Sequence, residues 1–99
     1  MPIQSINPYT LKKLKSFNKK KKKEVETAIS KAHETYQIWK FTSYEERAEV
    51  LNKVAAIIKS KKTELATLIT SEMGKLIKQA EYEVDYAVSI FQYYAKNAK

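Results

Sequence analysis

The sequence has no cysteine, only one glycine and only two prolines, and each scarcity excludes a class of structure or site. Without cysteine the chain has no disulfide, no thiolate-ligated zinc site and no cysteine nucleophile. Few glycines and prolines mean few tight turns and glycine-rich loops, which favours long helices over a β-sandwich or barrel. A single glycine also excludes the Gly-x-Gly-x-x-Gly motif that binds dinucleotide phosphates.

The sequence also lacks long apolar runs. None approaches the ~18 consecutive apolar residues that indicate a membrane-spanning helix. The first residues show no charged region followed by an apolar stretch, so no signal peptide is predicted. We therefore expect a cytoplasmic protein that has no membrane partner.

Positive charge, in contrast, is abundant, with a formal net charge of +8. All but one of the 19 basic residues are lysines, and the exception is Arg47. Guanidinium forks are the usual readers of bases and phosphates, so their near absence argues against nucleic acid as a partner. Five lysines form one run at residues 19–23, which we interpret as a solvated stretch.

Residues 1–18 differ in pattern from the rest of the chain. Their apolar residues are interspersed with polar ones, and Asn7 is followed by Pro8. Proline restricts the residue before it to extended conformations. We predict a short β element here, in which two short strands flank a turn near residues 8–12.

From about Lys20 the apolar residues recur at spacings of three and four, which is the period of an amphipathic helix. Ser43 followed by Glu46 is a capping box, which indicates the start of a second helix. Gly74 suits a left-handed C-terminal cap, which indicates the end of a third helix. We therefore predict a mostly α fold in which four helices follow the β element, at roughly 20–41, 44–60, 62–73 and 76–97.

The fourth predicted helix has the widest apolar face, because three tyrosines and Ile90 flank its main stripe. A face this wide needs more than one packing partner. Tyrosines beside a basic surface can also stack on bases. At helical spacing we interpret them as core or subunit contacts. The tyrosines of this helix are Tyr82, Tyr86, Tyr93 and Tyr94.

No group of residues in the sequence points to catalysis. His33 is the only histidine, and no second histidine or cysteine completes a metal site with it. Residues 72–75 contain one glycine and are followed by Leu76, so they do not form a phosphate-binding loop. Carboxylates close in sequence are interpreted as solvated, since residues two apart on a helix do not face each other. We predict no catalytic, cofactor-binding or metal-ligating residue. The carboxylate pairs are Glu45 with Glu46, Glu81 with Glu83, and Glu83 with Asp85.

Several segments, in order along the chain, resemble the N-terminal part of bacterial aldehyde dehydrogenases. The last two resemble the succinate-semialdehyde dehydrogenase branch in particular. The apolar stripe that ends at Trp39 is similar to the first helix of the family. The other matches are residues 5–10 to I-N-P-A-T-G, 42–48 to T-S-x-x-E-R-A, 65–75 to L-A-x-L-I-T-x-E-M-G-K, and 93–98 to Y-Y-A-E-N-A.

The resemblance implies that residues 1–99 are one partial domain, roughly the first fifth of a family enzyme. In the family, this part is a short β element, here 1–18, and a helical cluster, here 19–99, which packs onto the dinucleotide-binding domain. The catalytic cysteine, the general-base glutamate and the NAD or NADP contacts lie downstream in the family. No position here matches them, so we expect this segment to bind no cofactor.

Three positions depart from the family pattern. Leu11 replaces a glycine in the turn, which predicts a wider turn or a weaker hairpin, because leucine has no easy access to positive φ. Leu76 replaces a frequent proline, so the fourth helix lacks a pre-set first turn. The run at 19–23 replaces a mixed acidic and polar approach to the first helix.

The leading hypothesis is therefore an N-terminal fragment of an NAD(P)-dependent aldehyde dehydrogenase. The family oxidises an aldehyde to a carboxylic acid, and we expect this chain alone to be inactive and to act as a scaffold. Its partners would be the remainder of the enzyme, if separately encoded, or a second copy through exposed apolar faces. The alternative is a small basic helical module that binds nucleic acid or protein.

Overall fold

The computed structural model describes residues 2–99, which begin with a two-stranded antiparallel sheet. Strand β1 (Ile3–Ile6) pairs with β2 (Lys13–Phe17), with Ile3 opposite Phe17. The register is irregular between Ser5 and Ile6. The predicted β element is confirmed.

The side chain of Asn7 builds the turn between the strands. Its Oδ1 accepts hydrogen bonds from the backbone amides of Tyr9 and Thr10, at 2.9 and 3.0 Å. Its carbonyl accepts another from the amide of Leu11 at 2.9 Å. Leu11 takes the positive φ itself, at 58°, with its side chain 78% exposed. The strand pairing therefore survives the loss of the family glycine, and Leu11 carries the backbone strain.

Four helices follow the hairpin, as predicted. They are α1 (Lys22–Trp39), α2 (Tyr44–Ser60), α3 (Lys62–Met73) and α4 (Ile77–Asn97). Helix α1 begins later than predicted because Lys21 is extended, with ψ 155°. The backbone amide of Lys21 donates to the Glu24 carboxylate at 2.7 Å, which satisfies one of the polar groups left over at a helix start.

The capping box predicted at the start of α2 is present. The amide of Glu46 donates to the hydroxyl of Ser43 at 3.1 Å, and the Glu46 carboxylate accepts from the amide of Ser43 at 2.8 Å. Ser43 is extended, at φ −70° and ψ 161°, so the chain turns sharply into α2. These bonds fix where α2 begins.

Gly74 ends α3 in the left-handed conformation, at φ 70°, which confirms the predicted cap. Its amide donates to the carbonyl of Thr70 at 2.9 Å. Pro8 of the hairpin turn packs here, and a Cβ on Gly74 would lie 3.1 Å from Pro8 Cγ. The hydroxyl of Ser5 donates to the Glu72 carboxylate at 2.5 Å. The hairpin is thus attached to the C-terminal end of α3.

The core lies where α2 and α3 pack against α4. Small side chains fill it, and among residues 2–99 no large side chain is fully buried. Partly buried Ile58, Leu65 and Ile69 surround its centre. Short side chains let helix axes approach closely, so the packing is tight even though the core is small. The buried residues are Ala55, Ala66, Ala80, Val84 and Val88.

Helix α1 stands apart from this core. It makes no extensive contact with another helix or strand, and none of its residues is buried. The molecule measures 47 × 39 × 16 Å, and its radius of gyration is 17.6 Å. A compact chain of this length has a radius of gyration of about 13 Å. The structure is a flat layer of helices with α1 as an arm.

We expect Gly74→Ala to lower the free energy of unfolding by about 1–2 kcal/mol, since an alanine is strained at positive φ. The added Cβ would also press on Pro8. Chemical denaturation measures the change. Gly74→Asn is the matched control, because asparagine tolerates this conformation but carries the same Cβ. It should lose less, and an alanine variant as stable as the parent would contradict the role of the cap.

The stability of the N-terminal end of α2 should depend on pH. Hydrogen bonds from the amide and then the hydroxyl of Ser43 hold the pKa of Glu46 below its ordinary value. Because the folded pKa lies below the unfolded one, this stabilisation is complete above the unfolded pKa and disappears as pH falls through the folded pKa. NMR titration should show a low Glu46 pKa that rises part of the way in Ser43→Ala, because that variant removes the hydroxyl and keeps the amide. An unchanged pKa in that variant would contradict the role given to the hydroxyl.

Candidate functional site

The apolar stripe of α1, which we call the α1 face, makes no extensive contact with another helix or strand of residues 2–99. Its residues recur along one side of the helix, and Ile29 at its centre is 65% exposed. Together with flanking lysines, its first half lines a groove of about 870 Å³. An apolar stripe of this kind on an isolated helix is typical of a surface that packs against a partner. The α1 face consists of Val25, Ala28, Ile29, Ala32, Tyr36 and Trp39.

One end of the α1 face is strongly basic. Lys20 and Lys22 make weak ion pairs with Glu24 and Glu26, at 3.7 and 3.8 Å, and all four side chains are largely exposed. Exposed pairs of this kind contribute little to stability. The other lysines of the 19–23 run make no ion pair with residues 2–99. A partner of α1 therefore meets an apolar stripe and a positive end.

A second apolar groove, of about 480 Å³, lies between α3 and α4. Leu68 and Met73 line it and are both more than half exposed. Glu72 and Glu83 stand among its lining residues. Glu72 accepts a hydrogen bond from the hydroxyl of Ser5, and Glu83 forms an ion pair with Lys75. Both carboxylates therefore take part in contacts that hold neighbouring segments together.

The titratable residues weighed in the sequence lie at separate places in the structure. His33 is exposed on α1, with its Nε2 3.1 Å from the side-chain nitrogen of Gln37. Glu45 lies 2.8 Å from Lys99, whose hydrogen bond lowers the pKa of that carboxyl. Asp85 lies 2.6 Å from Lys62, whose pKa the same bond raises. Glu45 and Asp85 thus each have a cationic partner of their own.

The structure also keeps the lysine run and the α4 tyrosines on different elements. The run leads into α1, the tyrosines lie on α4, and these helices share no extensive contact. Tyr82 and Tyr86 stack on each other, with ring centres 6.2 Å apart. Tyr93 and Tyr94 meet edge to face at 5.3 Å. The tyrosines therefore do not form one stacking platform with the lysine run.

Residues 2–99 contain no group of three or more His, Asp or Glu side chains placed to hold a metal ion. Nor is any of their helices both long and apolar enough to cross a bilayer.

The family model described as the aldehyde dehydrogenase family matches residues 1–99. This chain belongs to the aldehyde dehydrogenase family. The NADP⁺-type succinate-semialdehyde dehydrogenase of Deinococcus radiodurans is 37% identical to it over 95 residues, which are 96% of this chain and 20% of that protein. A namesake from Mycobacterium tuberculosis is 35% identical over 99 residues, 100% of this chain and 22% of its own length.

The fold of this aldehyde dehydrogenase segment also matches solved structures. The succinic semialdehyde dehydrogenase of Streptococcus pyogenes, solved with NADP⁺, superimposes with a TM-score of 0.90 at 34% identity. The match covers 96% of this chain and 21% of that one. The chain thus spans about a fifth of the length of the relatives it matches.

Three of the five family-like segments reach a place where elements meet. Residues 5–10 run from β1 into the hairpin turn, 42–48 run from the α1–α2 junction into α2, and 65–75 run along α3 to its cap at Gly74. Caps and turns restrict residue type more than solvated helix faces do, which accounts for part of the resemblance. The sequence contains no indication that α1 stands apart, because the amphipathic pattern of a helix is the same whether or not a partner covers it.

Proposed function

We propose that this chain is the scaffold segment of an NADP-dependent succinate-semialdehyde dehydrogenase. It supplies the hairpin, a three-helix layer and the α1 arm, which dock on the region that holds the reacting groups. The oxidation of the aldehyde is the work of that region. The role of these 99 residues is to complete its fold.

The observation that carries the proposal is the exposed surface of the chain. It presents 8599 Å² to solvent, whereas a compact monomer of its 11.5 kDa mass presents about 5800 Å². The excess is about 2800 Å², more than three times the ~800 Å² that one partner buries in a standard interface. Much of it belongs to apolar side chains, including those of the α1 face. Such a surface fits a segment that is buried within a larger unit.

The chemistry expected for the family also divides between regions. Oxidation of an aldehyde by this family begins with attack by a thiolate, and the present chain has no cysteine. The relatives named as NADP⁺ enzymes suggest the cofactor of the complete unit. These 99 residues therefore contribute position and stability, while another region contributes the nucleophile and the cofactor contacts.

We predict that the purified 99-residue chain does not oxidise succinate semialdehyde with NADP⁺ or NAD⁺. A chimera, in which it replaces the matched 95-residue segment of the Deinococcus radiodurans relative, should oxidise it. NADPH absorbance measures both reactions. Deletion of the same segment from the relative is the control. It should abolish activity, because the surface that the segment covers in the relative would then be exposed to solvent.

Two outcomes would contradict the proposal. Activity of the isolated chain above a denatured control would show a reaction centre within it. A chimera that folds, binds NADP⁺ and is still no more active than the deletion would show that this chain is not equivalent to the segment it replaces.

We further predict that the chimera depends on the α1 face. Ile29→Glu places a charge on the stripe and should reduce the yield of folded, active chimera at least tenfold, since burying an unpaired carboxylate is strongly unfavourable. Ser30→Glu is the matched control, because it adds the same side chain about 100° further around the helix. It should leave activity near that of the parent. Equal losses in the two variants would contradict docking through this face.

A further inference from the structure

The short junction between α1 and α2 is the main attachment of α1. Only residues 40–43 separate the two helices, and α1 makes no extensive contact with any other element. A junction without specific bonds would let an arm of 18 residues swing freely. The direction of α1 must therefore be set by the bonds within this junction.

Backbone amides of residues 40–42 donate to carbonyls in the last turn of α1. Arg47, the only arginine in the chain, adds the bonds that reach this junction from the first turn of α2. Its Nη2 donates to the backbone carbonyls of Trp39 and Lys40, at 3.2 and 3.1 Å. Its Nε donates to the hydroxyl of Thr42 at 3.0 Å. The carbonyls lie at the C-terminal end of α1, and that of Trp39 also accepts a hydrogen bond from the backbone amide of Thr42 at 3.0 Å. One side chain of α2 thus holds the end of α1 and the linker together.

Two aromatic rings enclose the same guanidinium. Its central carbon lies 5.9 Å from the ring centre of Trp39 and 6.0 Å from that of Tyr44. These rings come from the last residue of α1 and the first residue of α2. Thr42 reinforces the arrangement, since its hydroxyl donates to the Trp39 carbonyl at 2.7 Å. Arg47 is half-buried among these groups, whose positions it holds relative to one another.

We infer that Arg47 is a positioning residue that locks α1 in one direction and so presents the α1 face ready for docking. The planar fork and fixed donor angles of arginine are required, because the ammonium of a lysine cannot reach the two carbonyls and the hydroxyl in the same geometry. This lock is a property of the chain itself. Only its consequence for docking rests on the proposed function.

The direction of α1 can be measured by pulsed electron resonance between two spin labels. The chain has no cysteine, so Ser30→Cys on α1 and Gln92→Cys on α4 provide unique attachment sites, both exposed. The parent should give one narrow distance distribution. Arg47→Met should broaden it at least twofold, while far-UV circular dichroism shows the helices retained. Arg47→Lys should not restore the narrow distribution.

Lys40→Met is the matched control, since it removes a positive charge from the same junction but keeps the carbonyl that Arg47 binds. It should leave the distribution narrow. Thr42→Val removes a single anchor and should broaden the distribution less than Arg47→Met, which keeps a test available if Arg47→Met loses helix content. Narrow distributions in all the folded variants would overturn the inference.

The docking consequence has a separate readout. When the chain is added in trans to the relative that lacks its matched segment, its half-maximal concentration for restoring activity reports docking. If Arg47→Met leaves α1 in the docking direction for about a tenth of the time, that concentration rises about tenfold. A broadened distance with no restoration by any variant would sink the proposed function and leave the lock intact. A broadened distance distribution with no change in half-maximal concentration would contradict the claim that the direction of α1 affects docking.

Discussion

Close approach of helices through small side chains is the constraint on which this structure depends. Ala66 and Ala80 are fully buried where α3 meets α4, and Ala55 is buried on α2. A methyl group at a helix contact lets the backbones come near each other, but it removes little apolar surface from water. The layer is therefore well defined in geometry and poor in buried area. The hairpin and the α1 arm are attached at its edges by turns and caps rather than by a common core.

Much of the fold could be predicted from the sequence, because its boundaries are set by local chemistry. Ser43 and Glu46 are three residues apart, and that spacing alone specifies reciprocal hydrogen bonds at a helix start. Gly74 is the only glycine in the chain, a glycine adopts positive φ without strain, and α3 ends at it. Part of the family resemblance comes from the same positions, since a cap or turn tolerates few residue types. Sequence and structure agree best where geometry leaves least choice.

Other features could not be predicted, because they depend on what lies opposite a residue in space. The stripe of α1 follows from a period of three to four residues, but that period does not show whether the face is covered. Leu11 illustrates the same limit, since a wider turn would have relieved it, and the bonds to Asn7 hold it at positive φ instead. For the candidate site, the sequence indicated that no residue carries catalysis. Only the structure showed that α1 makes no extensive contact with another element and that Arg47 bonds to its C-terminal end.

The order of contacts along the chain also bears on when this surface forms. Helices α2, α3 and α4 are consecutive and joined by short connections, and such local topologies fold within microseconds to milliseconds, whereas sheets built from distant strands fold more slowly. If the chain docks as proposed, the helical layer and its arm would be complete while the rest of the enzyme is still unfolded. During that interval the α1 face is open to molecular chaperones and to premature aggregation. Because the flat arrangement leaves the α1 face uncovered, chaperone binding and aggregation would compete kinetically with correct assembly.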